Sequence, residues 1–310
     1  MTEPETPNRD NQMLIGEVVA LVQQNYPDVT HSSLRFLERE GLLRAFRTKG
    51  RHRLYGPADV ERILKIKAWQ TERLSLETIR QRLNQLEHLP NSALLVEEFL
   101  RLATAGDLTG ARRVVLGADD VGMPLEHSFD AILLPVLYEV GRRWERGDLL
   151  VAQEKEVSEL ARDLIATLSA RHADPEPQGA IVVAACVEGE DHDLGLRMVC
   201  GLLREKGVRL HLLGADVAPR FLLEAVQLHT APLVLLSAHL DPRLPDLLAA
   251  INTLRTQLPP DFQPVVVAGG GAVRRHQDEI RVAGAIAIAN ESLGGAVQAI
   301  LEILPTNSGN

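Results

Sequence analysis

One histidine of this 310-residue chain stands among acidic residues in a run whose side chains could bind a metal. The run is Glu190-Asp191-His192-Asp193-Leu194-Gly195, and 41 residues separate it from Ser237, after which come Gly269, Gly270 and Gly271. Neutral imidazole is a common metal ligand, and a carboxylate beside it can hold one ring N–H so that the other nitrogen faces the metal. A lone histidine in a loop is usually exposed and has no such role, so the prediction depends on the joint spacing.

That spacing resembles the fingerprint of cobalamin-binding domains. In this family a histidine in the loop after the first strand ligates cobalt from below and displaces the cofactor's dimethylbenzimidazole, whose tail then fills a slot in the sheet. The resemblance implies that His192 is the lower ligand of cobalt and that Glu190 orients it, with Asp191 and Gly195 in the same loop. It also implies that Ser237 lines the slot and that Gly269, Gly270 and Gly271 let backbone approach the nucleotide tail.

A second motif lies in the middle of the chain, where Trp144 is followed after nine residues by Glu154. It resembles the motif of the light-dependent CarH, CarA and LitR repressors, in which a Trp-x9-Glu-His sequence caps the adenosyl group and a second histidine follows the Trp. The resemblance implies that Trp144 and Glu154 contact the cofactor. Both family histidines are replaced, by Glu145 and Lys155. We therefore expect a lit state that differs or is absent, with His127 as the remaining candidate for an upper ligand.

Basic residues are concentrated near the N-terminus, although the whole chain has a net charge of −9. Residues 1–88 hold 14 Lys and Arg against 12 Asp and Glu, a net charge of +2, whereas the remainder holds 19 against 30, a net charge of −11. Seven basic residues lie between positions 35 and 53, opposed by two Glu. A solvated surface is the simplest interpretation, but like charges at this density favour an anionic partner such as DNA.

The same region has the pattern of a helix-turn-helix. Apolar spacing predicts a helix over 14–22, and a second helix should begin after Thr30 as N-cap and end at Gly41. A short hairpin should follow from Arg44 to Tyr55, and then two further helices over 57–67 and 75–87.

This N-terminal region resembles the MerR family of transcription regulators, on the sequence from Arg35 to Leu43 and on Arg53-Leu54-Tyr55. The resemblance covers about 75 residues, and the turn between its first two helices is about three residues longer than in common members. It implies DNA contacts from the recognition helix and from the basic wing, by Ser32, Ser33, Arg35, Arg44, Arg47, Arg51, His52, Arg53 and Tyr55. The heptad pattern does not continue past Leu89-Pro90, so we expect dimerisation to come from elsewhere in the chain.

The elements that must position these residues predict a multidomain α and α/β protein. Residues 1–88 are expected to form a MerR-type winged helix-turn-helix. Residues 92–173 have apolar residues every three or four positions and should form a four-helix bundle, which the resemblance makes a cobalamin cap. Residues 178–305 alternate short apolar strands with helices and should form a Rossmann-like, flavodoxin-like parallel sheet that binds its ligand beyond the carboxyl ends of the strands. The segment from Leu213 to Pro219 resembles the family's turn after the second strand, and His239-Leu240 departs from its Ser-x-Leu motif.

Composition favours an ordinary globular protein in the cytoplasm. At 45% hydrophobic residues the chain can bury sizeable cores, no apolar run reaches the ~18 residues of a membrane span, and Met1 to Gln12 is polar. The two cysteines, Cys186 and Cys200, have apolar neighbours and should be buried thiols, not a disulfide or a zinc site.

Together these features predict a DNA-binding transcriptional regulator, a repressor by resemblance, that senses bound cobalamin through its oligomeric state. Adenosylcobalamin is the expected form, the expected partners are a double-stranded operator and further copies of the chain as a dimer or tetramer, and no membrane partner is expected. The chain is not expected to be an enzyme. Two alternatives stay open: a cofactor-independent MerR-type regulator whose C-terminal domains serve oligomerisation or partner binding, and a corrinoid methyl carrier, which would have no use for the basic wing.

Overall fold

The computed structural model describes residues 12–43, 45–47, 53–71, 73–290 and 292–304, with backbone only at 47 and 84–88. Contacts divide the chain into two compact units, Met1–His88 and Leu89–Asn310.

The N-terminal unit is a winged helix-turn-helix, as the sequence predicted. Its helices are α1 (Ile15–Val22), α2 (His31–Arg39), α3 (Pro57–Thr71) and α4 (Leu76–His88). Its strands are β1 (Met13–Leu14), β2 (Phe46–Arg47) and β3 (Arg53–Tyr55), in the order β1-β3-β2 with antiparallel pairing. The predicted hairpin is confirmed by β2 and β3, but β1 was not predicted, because two residues ahead of a helix have no strand pattern of their own.

Both predicted ends of the recognition helix α2 are confirmed. The Thr30 hydroxyl accepts from the amide of Ser33 at 3.2 Å, and the Ser33 hydroxyl accepts from the amide of Thr30 at 2.8 Å, which satisfies two N–H groups that the helix leaves unpaired. Gly41 has a φ of +71°, the left-handed conformation in which a helix commonly ends. Leu34 and Leu37 are buried and turn the opposite, polar side of the helix outward.

The second unit begins with a helical bundle. Its helices are α5 (Ser92–Thr104), α6 (Leu108–Asp120), a third helix made of α7 (Leu125–Ser128), a π turn (Phe129–Leu133) and α8 (Leu134–Glu145), and α9 (Val151–His172). The π turn ends two residues before Pro135, which has no N–H to donate within the helix, and irregular helical turns commonly occur beside a proline. Asp130 in this turn accepts from the amides of Leu293 and Gly294 at 2.9 and 3.2 Å.

The bundle packs on a five-stranded sheet in which every strand pair is parallel. The strands are β4 (Ile181–Val187), β5 (Arg209–Val217), β6 (Leu233–Ser237), β7 (Val265–Gly269) and β8 (Ile286–Ala287), in the order β5-β4-β6-β7-β8. This is the flavodoxin-like order, so the predicted fold class is confirmed. The helices are α10 (Leu194–Glu205), α11 (Pro219–His229), α12 (Leu244–Gln257), α13 (Gly271–Arg275), α14 (Gln277–Val282) and α15 (Leu293–Ile303).

Alternate residues of the central strand β4 enter two different cores. Val182, Ala184 and Cys186 pack with α10, α15 and the bundle, whereas Val183, Ala185 and Val187 pack with α11 and α12. This period of two follows from the pleat of a strand that is covered on both faces. The sheet and the bundle therefore share one continuous core.

The expected turn from Leu213 to Pro219 is wrong for most of its length, because β5 continues to Val217. The strand is irregular where the turn was expected: Gly214 and Asp216 have φ of +97° and +54°, and its register against β4 shifts twice. The end of β5 supports the loop after β4, since Asp216 Oδ1 accepts from the amide of Gly189 at 2.7 Å.

Both cysteines are buried free thiols, as predicted, and burial raises the pKa of each to about 12. Within the ranges that the structure describes, no helix has both the length and the apolar character needed to cross a membrane.

Candidate functional site

The predicted cobalamin residues meet at the carboxyl edge of the sheet. His192 lies in the loop between β4 and α10, Ser237 ends β6, and Gly269 ends β7. Ser237 is paired with Cys186 of β4 on one side and with Gly269 on the other. The loop and the two strand ends are therefore neighbours at the edge where this fold binds ligands.

The carboxylate of Glu190 is fully buried and accepts hydrogen bonds from two loops. Oε1 accepts from the amide of His192 at 3.0 Å and from its Nδ1 at 2.6 Å. Oε2 accepts from the amides of His239 and Leu240 at 2.7 and 3.1 Å. The loop that carries His192 is thereby fixed to the loop that follows β6.

This network determines the state of the imidazole of His192. Burial acts to raise the pKa of Glu190, but the hydrogen bonds from the amides of His192 and Leu240 and from the imidazole outweigh it, so the pKa lies below its ordinary value. An ionised carboxylate only accepts, so Nδ1 carries a proton, and Nε2 is the ring nitrogen left to ligate a metal. The His192 side chain is 56% exposed, which leaves Nε2 accessible to a metal.

The glycines at this edge have two different roles. A Cβ at Gly269 or at Gly195 would meet no atom within 4 Å, so each opens onto free space. Gly270 has a φ of +112°, and a Cβ there would collide with the carbonyl of Ala238; a Cβ at Gly271 would lie 2.6 Å from the carbonyl oxygen of His239. Gly270 and Gly271 are thus needed for packing within the protein, and Gly269 and Gly195 leave room for a ligand.

The donor chemistry and the open space fit a cobalamin. The imidazole nitrogen of His192 that does not face Glu190 can ligate cobalt, and backbone without side chains borders the adjacent strand ends. Asp191 is exposed beside His192, and its carbonyl accepts from the amide of Asp193 at 3.0 Å.

Four residues of this edge were not identified as site residues from the sequence. Asp193 is 1% exposed, and its carboxylate accepts from Arg197 Nε at 2.6 Å and from Arg162 Nη1. The i,i+4 spacing of Asp193 and Arg197 could have indicated their ion pair from the sequence. Arg162 lies 31 residues away on another element, and no local pattern could have indicated it. His239, noted only as a departure from a motif, has its ring centroid 5.2 Å from that of His192, and burial lowers its pKa.

The bundle overhangs the same edge. Arg162 of α9 contacts Asp193 at the start of α10. Seven residues further along α9, the hydroxyl of Ser169 lies where a Cβ of Gly201 would be, and Gly201 follows Asp193 by eight residues. The helices α9 and α10 therefore run parallel. Since α9 begins at Val151, its first eleven residues project about 16 Å beyond the start of α10. They project on the side of the sheet where His192 lies.

The predicted cap residues are at this projecting end. Trp144 lies in the last turn of α8 and is 47% exposed, and Glu154 lies in the first turn of α9, where its Oε1 accepts from Ser158 Oγ at 2.8 Å. Leu150 and Val151, between them, are 70% and 59% exposed. Exposed apolar side chains in such a group are typical of a surface that receives a partner or a ligand.

Glu145 and Lys155, which replace the family histidines, and His127, the remaining candidate for an upper ligand, lie in different parts of the bundle. Glu145 and Lys155 are exposed at the projecting end. His127 lies in α7, and its Nε2 is 2.9 Å from the hydroxyl of Ser92 at the start of α5. It is thus engaged where α5 begins, and its role as an upper ligand stays a prediction.

In the N-terminal unit, Ser32 and Arg35 are exposed on the polar side of α2, as a recognition helix requires. The Ser33 hydroxyl is used in the helix cap. Arg44, Arg51 and His52 lie outside the described residues. Arg47 is in β2, but its side chain is also outside them.

Arg53 and Tyr55, both expected to contact DNA from the wing, make internal contacts with the recognition helix. The Arg53 Nε donates to both carboxylate oxygens of Glu38 at 2.8 and 3.1 Å, and the Tyr55 hydroxyl donates to Oε1 at 2.6 Å. Tyr55 has no exposed surface, so a direct contact with DNA is not available to it in this conformation. The pair fixes the wing strand β3 to the recognition helix, and Arg53, still 28% exposed, retains a surface that a phosphate could approach.

Comparison with protein families identifies three matching segments. Residues 15–86 match the MerR HTH family of regulatory proteins, and residues 95–169 and 180–300 match two B12 binding domains. The chain is similar in fold to a monomethylamine corrinoid protein of Methanosarcina barkeri, with a TM-score of 0.60 and 19% identity over 69% of this chain and 100% of that one.

Two repressors of Myxococcus xanthus are similar over most of the chain. The HTH-type transcriptional repressor CarH is 32% identical over 256 residues, which cover 77% of this chain and 83% of the repressor. The HTH-type transcriptional repressor CarA is 31% identical over 264 residues, 83% of this chain and 88% of the repressor. With a MerR head ahead of two B12 binding domains, and with two repressors that match it over most of their own length, the chain belongs to the family of MerR-type, B12-binding transcriptional repressors.

Proposed function

We propose that this repressor senses adenosylcobalamin bound between the bundle and the carboxyl edge of the sheet, and that its oligomeric state carries the signal to DNA. The observation that supports this most is the buried Glu190, which binds Nδ1 of His192 and leaves Nε2 of the exposed ring turned away from it, at the edge beyond which α9 projects. In this proposal residues 1–88 bind DNA, residues 92–173 cap the cofactor and residues 178–305 hold it. It acts in the cytoplasm, since an operator-binding repressor works where the DNA is.

Each group at the edge has a separate task. His192 ligates cobalt from below, Glu190 holds its ring, and Ser237 offers a hydroxyl to the nucleotide tail beside the space that Gly269 leaves open. Trp144 and the exposed Leu150 and Val151 cover the upper face. When bound, adenosylcobalamin supplies a cobalt–carbon bond that light can cleave.

The proposed mechanism is assembly, not catalysis. A cofactor that bridges α9 and the sheet orders one surface of the chain, on which a dimer or tetramer forms. Several heads that bind one operator together gain affinity through effective concentration, without any new contact to DNA.

The direct test measures oligomer size and operator binding together. Full-length protein in the dark is run on size exclusion and in gel shifts, with and without adenosylcobalamin. We expect the cofactor to enlarge the oligomer and tighten DNA binding. A cofactor-independent regulator would bind DNA equally in both states, and a corrinoid carrier would bind the cofactor but not DNA.

A further inference from the structure

The residue that follows the proposed cobalt ligand is attached to the bundle. Asp193 lies between two arginines from different elements: Arg197, one turn along α10, and Arg162 in the middle of α9. Each guanidinium donates to a different carboxylate oxygen of Asp193. This is a direct link between the loop of His192 and the helix that overhangs it.

The link needs both arginines because the carboxylate is buried. A charge without water costs free energy unless paired groups satisfy its hydrogen-bonding capacity. Burial acts to lower the pKa of Arg162, but the hydrogen bond with Asp193 outweighs it and raises the pKa above its ordinary value, so this arginine stays charged. Without Arg162, one oxygen of Asp193 loses its charged donor.

The loop is held from two sides. The amide of Asp193 donates to the carbonyl of Asp191 at 3.0 Å, so residues 191–193 form a tight turn. On one side Glu190 fixes this turn to the loop after β6. On the other side Asp193 fixes it to α9. The position of the imidazole thus depends on where α9 lies.

The same helix carries the cap. Glu154 precedes Arg162 by eight residues, about 12 Å along one uninterrupted helix. A cobalamin has a fixed thickness between its lower and upper axial positions, so the loop below and the cap above must be set at a matching distance. A stiff helix anchored to the loop through one ion pair provides that distance.

We propose that Arg162 is a positioning residue that couples His192 below the cobalt to the cap formed by Trp144 and Glu154 above it. The inference rests on the proposed function, in which His192 ligates the cobalt of a bound cobalamin. A change at the lower ligand reaches the bundle through Asp193 and Arg162, and a displacement of α9 reaches His192 by the same path.

The experiment compares Arg162→Ala with Arg112→Ala in the full chain, by titration with adenosylcobalamin in the dark. Arg112 also pairs with α9, through Asp163 at 2.8 Å, but this partly exposed pair does not touch the ligand loop. We expect Arg162→Ala to weaken binding roughly 10- to 100-fold, the usual effect of losing a group that supports a ligand. At saturation its absorption spectrum should show a smaller fraction with histidine below cobalt. Arg112→Ala should match the wild type in both measurements.

Two more variants separate positioning from a general loss of structure. Arg162→Lys keeps the charge and most of the packing, and should bind with intermediate affinity even if Arg162→Ala does not fold. In an Asp193→Asn background, Arg162→Ala should add little to the loss, because the ion pair is already broken. If Arg162→Ala and Arg162→Lys both bind with wild-type affinity and a wild-type spectrum, the coupling is refuted while the proposed function stands. If the wild type itself binds no cobalamin, or binds it without histidine, both are refuted.

Discussion

The four hydrogen bonds that converge on Glu190 decide which nitrogen of His192 can meet a metal. A neutral histidine in an open loop has two tautomers and rotates freely, so fixing it on a ligand costs side-chain conformational entropy. Here the buried carboxylate selects the Nδ1–H tautomer and orients the ring before any ligand arrives. The hydrogen bond between Glu190 and Nδ1 of His192 therefore gives a physical reason for the two-residue spacing seen in the sequence.

Substitution of Glu190 tests that cause. In Glu190→Gln the carboxylate becomes an amide, whose NH2 group would face N–H donors, so at least two hydrogen bonds are lost. We expect cobalamin affinity to fall roughly 10- to 100-fold, measured by titration of the absorption spectrum. Glu188→Gln, an exposed carboxylate two residues earlier, is the matched control and should bind normally. Equal affinity of Glu190→Gln and Glu188→Gln would show that the carboxylate is not needed.

The glycines at the end of β7 allow effects on stability and on cofactor binding to be separated by single methyl groups. Gly270→Ala forces a side chain into a φ of +112° and against the carbonyl of Ala238, so the unfolding free energy should fall by about 1–3 kcal/mol or more. Gly269→Ala places its methyl in open space and should leave thermal stability nearly unchanged, but it should weaken cobalamin binding if the nucleotide tail occupies that space. Thermal unfolding and cofactor titration of both variants check this. Normal cobalamin affinity of Gly269→Ala would show that the nucleotide tail does not occupy the space beside Gly269.

At the scale of elements, the wing and the recognition helix are held together by hydrogen bonds. Glu38 of α2 holds Arg53 and Tyr55 of β3, so the wing cannot change its angle to the helix without breaking these bonds. Loss of the Tyr55 hydrogen bond would cost about 1.5–3 kcal/mol, as for other bonds to a charged group. The angle between wing and recognition helix is therefore set in part by two residues, Arg53 and Tyr55, that were expected to contact DNA themselves.

Arg53 of the wing and Arg35 of the recognition helix should have different effects on DNA binding. Arg53→Ala should weaken binding to all sequences alike and reduce the salt slope by about 1, because a wing arginine mainly meets phosphate. Arg35→Ala, on the polar side of α2, should cost about 1–3 kcal/mol on the preferred operator and relax sequence preference. Gel shifts on an operator and a scrambled duplex at several salt concentrations measure both. If neither variant changed affinity, this face of the head would not be the one that binds DNA.

The elements that the sequence predicted well are those with a local cause. The N-cap at Thr30, the end of α2 at Gly41 and the alternation of strands and helices after residue 180 depend on nearby residues, and all are confirmed. The strand β1 and the continuation of β5 depend on pairing with distant strands. The expected DNA contact of Tyr55 is wrong for the same reason, since its hydroxyl binds Glu38 on another element and the side chain is buried.

At the scale of the whole molecule, the candidate site was predictable as a set of residues but not as an arrangement. The spacing identified Glu190, His192 and Ser237, and the sheet brings them together. The sequence did not indicate Arg162, because an ion pair between residues 31 positions apart has no effect on local periodicity. Nor could it show that the bundle and the sheet share one core, which is what places Trp144 and Glu154 beyond the carboxyl edge.

Light is the property in which this chain should differ from the repressors it resembles. A second imidazole can meet the upper face of cobalt only if its neutral nitrogen reaches it; Glu145 is a carboxylate, and a protonated Lys155 has no lone pair. We expect illumination of the adenosylcobalamin complex to produce no spectrum with two histidine ligands and a weaker change in oligomer size. Spectra and size exclusion before and after green light test this. A stable spectrum with two imidazoles, together with complete dissociation, would instead assign the upper site to a histidine such as His127.

The measurement that tests the central claim most directly is retention of adenosylcobalamin in the dark by the wild type, His192→Ala and His239→Ala. Each protein is passed over a desalting column, and the absorption spectrum of the bound cofactor reports its lower ligand. We predict that the wild type and His239→Ala retain cobalamin with histidine below cobalt, because His239 lies beside the ligand and does not replace it. His192→Ala should lose most of the cofactor. Retention by His192→Ala equal to that of the wild type, with the same spectrum, would contradict the assignment of His192 and with it the proposed sensing mechanism.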